Sequence, residues 1–152
     1  MELLKKVEIV NKRARHEYEF LYTIEAGIML QGTEIKSIRM GHINLSDSYC
    51  IIFNGELYLD KLHISEYANG TYNNHEPRRR RKLLIKGNEL KKLHTKVKER
   101  GFTIIPYRVY INDRGYAKVE IALAKGKKSY DKRETLKAND VRREMERGVK
   151  EY

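Results

Sequence analysis

The chain is 152 residues long, a length that suits one domain with a short appendage. Hydrophobic residues make up 40% of the chain, which is enough for a core and excludes a wholly disordered protein. Lys and Arg outnumber Asp and Glu by 32 to 21, so the formal net charge is +11, and the expected partner is a polyanion, either nucleic acid or an anionic membrane surface.

Cysteine content and the lengths of the apolar runs narrow the class of protein. A single cysteine, Cys50, excludes an intramolecular disulfide and a metal site built from cysteines. The first residues hold no apolar run of signal-peptide length, and no run of ~18 apolar residues occurs that could span a bilayer. The histidines are scattered without metal-ligand spacing. We therefore expect a soluble cytoplasmic protein without a metal or other cofactor.

The first predicted elements are a strand over residues 18–30 and a short helix over residues 33–40. Gly27 lies within the β-prone run of the strand, and it predicts a bulge or a sharp bend there. Glu25 is the carboxylate whose apolar setting stands out. It either caps a local turn or accepts hydrogen bonds from base edges or ribose hydroxyls of RNA.

Two β-hairpins are predicted farther along the chain. The first spans residues 48–62, where Asn54-Gly55 joins two β-rich runs, because a type I′ turn needs a positive φ at both central residues. The second spans residues 102–124, and its last strand alternates apolar with polar positions. Pro106 lacks an amide donor, so it predicts an edge strand or a bulge.

Between the hairpins, residues 88–101 have the clearest helical pattern. Asn88 is the predicted N-cap and Gly101 follows the last turn. Hairpins and short helices without β-α-β alternation indicate a mainly β fold, either a small antiparallel barrel or a sandwich.

The composition changes after Ala124. Residues 125–152 are rich in Lys and Arg, poor in large apolar residues and without strand signals. We predict a domain at residues 1–124 and a basic C-terminal tail at residues 125–152 that is disordered when free. A set of apolar residues at helical spacing predicts that the tail forms a helix against a partner, namely Ala138, Val141, Met145, Val149 and Tyr152.

Three basic clusters are candidate contacts for an anionic partner. The densest is residues 78–82, where adjacent like charges repel each other. We predict that an anionic partner balances this charge, and the alternative is a solvated surface loop. The second is residues 11–16. The third, residues 125–133, lacks the spacing of a nucleotide-binding loop.

A series of ordered motifs carries a family resemblance. They are NKRARHEY at residues 11–18, EAG at 25–27, QGTEIKSIR at 31–39, NLSDSY at 44–49, RKLL at 81–84, AKGKK at 124–128 and DKR at 131–133. Together they closely resemble the SsrA-binding protein family, also called small protein B. The resemblance implies an antiparallel OB-like β-barrel with two or three peripheral α-helices, and a basic tail that is helical only when bound.

In function, the resemblance implies a non-catalytic RNA-binding adaptor. Such an adaptor binds the tRNA-like domain of transfer-messenger RNA and delivers it to stalled ribosomes for trans-translation, which rescues the ribosome and tags the nascent peptide. The implied partners are that RNA, the decoding centre and messenger channel of the small subunit, and, through the RNA, elongation factor Tu and alanyl-tRNA synthetase. A monomer in the complex is implied, with no membrane partner.

The candidate site residues follow from the resemblance and the basic clusters, and they include no catalytic residue or metal ligand. The predicted RNA-binding set is Asn11, Arg13, Arg15, Glu25, Leu84, Lys86 and Lys118. The predicted decoding-centre and channel set is Lys125, Gly126, Lys127, Lys128, Tyr130, Asp131, Lys132 and Arg133. The positions that depart from the family pattern are Lys86, Val141 and Gly148.

Three other functions stay open on the residues alone. The first is a general ribosomal or cold-shock-like RNA-binding protein that uses the same barrel. The second is an RNA-directed enzyme such as a nuclease. The third is a membrane-surface protein, which the mixed charge of the tail and its lack of large apolar anchors disfavour.

Overall fold

The computed structural model describes residues 7–70, 73–99 and 101–127. Within these ranges the chain forms nine strands and three helices. The strands are β1 (Glu8–Val10), β2 (Tyr18–Ile28), β3 (Ile43–Asn44), β4 (Tyr49–Phe53), β5 (Glu56–Asp60), β6 (His63–Ile64), β7 (Arg81–Leu84), β8 (Phe102–Ile111) and β9 (Ala117–Gly126). The helices are α1 (Ala14–Glu17), α2 (Gly32–Arg39) and α3 (Gly87–Val97).

Most of the strands form one antiparallel sheet, in the order β1-β8-β4-β5-β7-β2-β9. Because β8 also pairs with β9, the sheet closes on itself and β1 lies outside the ring. The closure is uneven, since β4 and β8 share the single pair Cys50 and Ile104, whereas β8 and β9 pair along almost their whole length. The predicted mainly β, OB-like fold is confirmed, as a ring of strands rather than a regular barrel.

Both predicted hairpins are present. Asn54 and Gly55 have φ values of 50° and 73°, as the predicted turn requires. A register shift between Pro106 and Arg108 confirms the predicted bulge, but β8 is no edge strand because it pairs with β1, β4 and β9. The irregularity predicted at Gly27 was misplaced: the register of β2 shifts between Phe20 and Tyr22 instead.

Helix α2 begins one residue earlier than predicted, the N-cap of α3 lies two residues earlier than predicted, and α1 was not predicted. The N-cap of α3 is Lys86, while the Asn88 side chain accepts a 3.0 Å hydrogen bond from the Glu89 amide inside the first turn. Gln31 caps α2 in a reciprocal capping box with Glu34. Both helices keep a narrow apolar side toward the sheet, with Ile38 of α2 and Leu93 of α3 buried in the main core.

The core has two parts on opposite faces of the sheet. The main cluster fills the inside of the ring and takes Val119, Ile121 and Leu123 from β9. Ala122 and Ala124 alternate with these residues along β9 and are buried in a second cluster with Ala14 of α1, although the predicted alternation implied that the other face of the strand is exposed. The outer face of β9 is therefore covered at its C-terminal end and open at its N-terminal end.

The strand β9 extends farther than predicted. Gly126 lies opposite Tyr18 and Lys125 lies opposite Glu19, so the predicted boundary after Ala124 falls inside a strand. The pairing partner is a strand distant in the chain, which explains why the composition of residues 125–127 did not reveal the extension. In the described ranges, no helix has both the length and the apolar character to cross a membrane.

Candidate RNA-binding surface

The outer face of the sheet brings predicted RNA-binding residues onto neighbouring strands. Gly27 of β2 lies opposite Leu84 of β7 on one side and Lys118 of β9 on the other. Neighbouring strands are ~4.8 Å apart, so the backbones of Leu84 and Lys118 flank Gly27 at a separation of ~10 Å. Gly27 has no side chain. The two flanking side chains therefore form the walls of a shallow slot whose floor is backbone.

The contacts around Gly27 show what a side chain at this position would meet. A Cβ placed there would lie 3.4 Å from the Cβ of Leu84, which is close but ordinary contact. Leu84 is 51% exposed although it is aliphatic, so this wall of the slot presents apolar surface to solvent. The opposite wall carries the ammonium group of Lys118. The slot thus combines an apolar side and a cationic side. A nucleotide has complementary groups, since its base or ribose can pack on the apolar side and its phosphate can pair with the cation.

Glu25 lies on the same outer face, one pleat before the slot. It is opposite Glu120 of β9, which is in turn opposite Arg108 of β8. Arg108 donates hydrogen bonds to Glu120, and also to Glu8 at 3.2 Å. Arg108 therefore neutralises the neighbouring acids and leaves Glu25 without a cationic partner among the described residues.

The Tyr110 side chain holds Glu25 in place, because its hydroxyl donates a hydrogen bond to Oε2 of that carboxylate. Burial and this hydrogen bond raise the pKa of Tyr110 to about 12, so the phenol stays protonated and remains a donor at neutral pH. The Arg108 guanidinium lies 4.5 Å from the centre of the Tyr110 ring. Glu25 caps no local turn, since its hydrogen-bond partner is 85 residues away in the chain. The exposed carboxylate can accept further hydrogen bonds from a ligand.

The N-terminal basic cluster lies at the other end of this face. The Asn11 amide donates a 2.7 Å hydrogen bond to the Tyr107 carbonyl, which fixes the start of α1 against β8. The Arg15 guanidinium lies 4.8 Å from the ring centres of both Phe20 and Tyr107. These rings order Arg15 but leave it exposed, and Arg13 is exposed as well.

The remaining predicted residues fall into two groups. Lys86 is exposed two residues after Leu84, where β7 passes into α3. Lys125 and Gly126 lie in β9, and the Lys127 amide donates a 3.0 Å hydrogen bond to the Glu17 carbonyl. The others lie outside the described residues, as does the predicted helical stripe, and they are Lys128, Tyr130, Asp131, Lys132, Arg133, Val141 and Gly148.

The basic run at residues 78–82 was predicted to need an anionic partner outside the protein to balance its charge, and this prediction was wrong. Its last residues form β7, and Arg81 points inward, where its side chain and that of Glu34 are both fully buried. Arg79 donates to Glu34 at 2.6 Å and Arg80 to Asp60 at 3.2 Å. Lys82 pairs with Glu56 at 2.8 Å in the same way. Most of this positive charge is therefore balanced within the protein.

Glu34 is the centre of this buried network. Burial opposes its charged form, but hydrogen bonds from Arg79 and the Gln31 amide, with the charge of Arg81, outweigh burial and hold the pKa of Glu34 below its usual value. Arg81 also donates to the carbonyls of Leu62 at 2.6 Å and Pro77 at 3.0 Å. The network ties α2 and β7 to the loops that follow β5 and β6.

Sequence reasoning missed Glu34, Arg108 and Tyr110. The available signal for Glu34 was its place in the capping box of α2. Strand β7 was not predicted, and the structure shows its alternation of buried Arg81 and Leu83 with less buried Lys82 and Leu84. Tyr110 lies within the second predicted hairpin, where a strand tyrosine gives no sign of a role beyond packing. Its contact with Glu25 depends on β8 and β2 flanking the same strand, which no local pattern reveals.

The described residues offer no arrangement of metal ligands, since they hold no group of three or more His, Cys, Asp or Glu side chains that could bind an ion. Burial raises the pKa of the Cys50 thiol well above its usual range, so this cysteine is an unreactive core residue.

Comparison with known proteins decides the family. The family model described as SmpB protein matches residues 8–151. A SsrA-binding protein from Phocaeicola vulgatus is 56% identical over 144 residues, covering 95% of this chain and 96% of the relative. The chain belongs to the SmpB family.

Further matches agree with this assignment. A SsrA-binding protein from Moorella thermoacetica is 53% identical over 146 residues, covering 96% of this chain and 94% of the relative. A chain of a solved structure described as "tmRNA-SmpB: a journey to the center of the bacterial ribosome" is 47% identical, with a TM-score of 0.71. That match covers 86% of this chain and 94% of the other. The SmpB family match also extends through the tail residues outside the described part.

Proposed function

We propose that this chain is a non-catalytic RNA-binding adaptor that binds the tRNA-like domain of transfer-messenger RNA and delivers it to stalled ribosomes. The relatives are named for binding SsrA RNA, and the solved neighbour is named for the transfer-messenger RNA complex in the bacterial ribosome. The matches run along nearly the full length of both chains, so they support transfer of the whole function, which is trans-translation.

The observation in the structure that carries this proposal is the outer face with Leu84, Gly27 and Lys118 in one row and Glu25 beside it. Lys118 supplies a cation for a phosphate, and exposed Leu84 supplies an apolar surface for a base or ribose. Glu25 is an acceptor held ready by Tyr110, suited to a ribose hydroxyl or an amino group on a base. A protein that bound phosphates alone would gain nothing from this carboxylate.

The finer parts of the proposal concern the tail and the partners. The predicted tail residues from Lys125 to Arg133 contact the decoding centre and the messenger channel, where the rest of the tail becomes helical. Elongation factor Tu and alanyl-tRNA synthetase act with the protein through the shared RNA. The protein works in the cytoplasm as a monomer in the complex and catalyses no reaction.

A binding titration tests the role of the outer face. The full chain is titrated into a labelled tRNA-like domain at several salt concentrations, with wild type, Glu25→Ala and the control Glu66→Ala, which removes an exposed acid from a loop after β6. Loss of a hydrogen bond to a charged group costs about 1.5–3 kcal/mol, so Glu25→Ala should weaken binding about 10-fold or more. Because removal of an acid makes the protein more positive, tighter binding by Glu25→Ala would refute the proposed contact.

A pull-down from a bacterial lysate with sequencing of the bound RNA separates this function from a general RNA binder. One dominant small stable RNA is expected. A broad collection of transcripts would favour the ribosomal or cold-shock-like alternative.

A further inference from the structure

A cleft between α3 and β2, which we call the α3 cleft, lies outside the surface described above. Its volume is about 610 Å³, within the ~300–1,000 Å³ range of ligand pockets. Tyr22 and Ile24 line it from β2, and Lys91, Lys92 and Lys96 line it from α3. The floor is mostly apolar and the rim is cationic.

The two faces of β2 explain why the cleft is separate from the first surface. Ile24 packs against the main core and Tyr22 shares its side of the strand, whereas Glu25 and Gly27 lie on the opposite side. The apolar stripe of α3 is narrow, so Leu93 is buried while Lys91 and Lys92 remain exposed beside it. The helix therefore closes only part of this end of the ring.

Tyr22 is the most informative residue of the cleft. It is 37% exposed although it extends from the core side of a strand, so the core and α3 cover its ring only in part. The exposed part of an aromatic ring at the floor of an apolar cleft is a surface on which a flat, unsaturated group can stack. Nucleobases stack on such rings with little dependence on sequence.

The charges around the cleft favour an anion. No carboxylate of the described residues lies within ion-pair distance of Lys91 or Lys92. Lys96 pairs with Glu99 at 3.5 Å, and its ammonium lies 5.7 Å from the centre of the Phe102 ring. Glu89 is the acid in the lining. Lys91 and Lys92 are therefore available to phosphates, unlike the paired cations of residues 79–82.

We infer that the α3 cleft is a second RNA-binding site, which takes an unpaired base of a single-stranded segment against Tyr22 while Lys91 and Lys92 contact the flanking phosphates. The volume admits a nucleotide, the floor matches a base and the rim matches a phosphodiester backbone. This site is independent of the outer face, because the two lie on opposite sides of β2.

The test is a fluorescence anisotropy titration of a labelled single-stranded oligouridylate with the full chain. Lys91→Ala/Lys92→Ala is compared with Lys36→Ala/Lys98→Ala, which removes the same charge from exposed lysines that do not line the cleft. Loss of two phosphate contacts should reduce the slope of log K against log salt by about 1.4, since each contact to a single strand contributes ~0.7. The control pair should leave the slope near that of wild type.

Tyr22 is tested with a conservative control, because truncation of a half-buried ring also affects folding. Tyr22→Ala should weaken binding of the oligouridylate about 5- to 160-fold, while Tyr22→Phe, which keeps the ring, should bind within twofold of wild type. Melting temperatures of both variants identify any loss of folded protein, and the affinity is referred to the folded fraction.

Competition distinguishes this site from the outer face. A saturating tRNA-like RNA should leave the oligouridylate bound, and Lys91→Ala/Lys92→Ala should bind that folded RNA within threefold of wild type. Displacement of the oligouridylate by the folded RNA, equal effects of the two lysine pairs, or equal competition by polyglutamate would each overturn the inference. None of these outcomes affects the result expected for Glu25→Ala.

Discussion

The buried ion pair between Arg81 and Glu34 leads to a quantitative prediction about stability. Removal of one partner from a buried pair costs about 3–5 kcal/mol. In Arg81→Met the carbonyls of Leu62 and Pro77 also lose a donor, which adds to this cost, whereas the hydrogen bond from Arg79 to Glu34 remains and reduces it. We expect a loss of about 4 kcal/mol in the free energy of unfolding, a large share of the roughly 5–15 kcal/mol typical of a domain.

Urea and thermal unfolding of the full chain measure this loss. At about 3–5 °C per kcal/mol for a domain of this size, the melting temperature of Arg81→Met should fall by roughly 12–20 °C. Arg80→Ala is the matched control from the same run, because its pair with Asp60 is solvent-exposed, and it should cost less than ~1 kcal/mol.

A double variant tests whether the cost arises from the unpaired charge. Glu34→Leu/Arg81→Met replaces both buried charges with apolar side chains, so it should be at least 2 kcal/mol more stable than the sum of the single variants predicts. If Arg81→Met cost no more than Arg80→Ala, or if the two sites were additive, the assignment of this run to internal pairing would be refuted.

Three shorter predictions concern the same network and the outer face. The free energy of unfolding should fall as the pH decreases from about 5 toward 3, because the pKa of Glu34 is lower in the folded state than in the unfolded state. The ionised carboxylate stabilises the fold above its unfolded pKa, and this stabilisation is lost when Glu34 is protonated. The free energy of unfolding of Glu34→Gln should therefore depend less steeply on pH, and equal slopes for wild type and variant would contradict this. Tyr110→Phe should bind the tRNA-like domain about 5- to 10-fold more weakly by anisotropy, because Glu25 loses its donor, and its melting temperature should change little; unchanged affinity would remove Tyr110 from the site. Gly27→Ala should fill the slot beside Leu84 and weaken RNA binding without loss of melting temperature; an unstable variant with normal affinity per folded molecule would show that Gly27 serves packing alone.

The sequence predicted the features that depend on local interactions. The Asn54-Gly55 hairpin, the alternation along β9 and the helices near residues 33 and 88 were found because turn conformations, capping and side-chain periodicity involve residues close in the chain. The predicted end of a strand was wrong by one or two residues where pairing with a strand distant in the chain determines the end. An example is β9, whose last residues pair with the start of β2.

The residues of the candidate site could also be predicted from the sequence, but their arrangement in space could not. Ordered motifs identified the family, and the basic excess indicated a polyanion as partner. The row of Leu84, Gly27 and Lys118 exists because β7 and β9 both pair with β2, and these strands are far apart in the chain. Likewise Arg81 and Glu34 are 47 residues apart, so only the closed ring shows that this arginine is internal.

Local chemistry in the chain thus determined which elements form and what kind of partner a basic excess attracts. Tertiary structure decided which cations are neutralised and which remain available, because a charge inside the ring must find a partner from another strand or helix while one on the rim can remain solvated. For that reason the densest basic run proved to be largely a structural element, while Lys118 of β9 and Lys91 and Lys92 of α3, which make no ion pair among the described residues, are available to an anion.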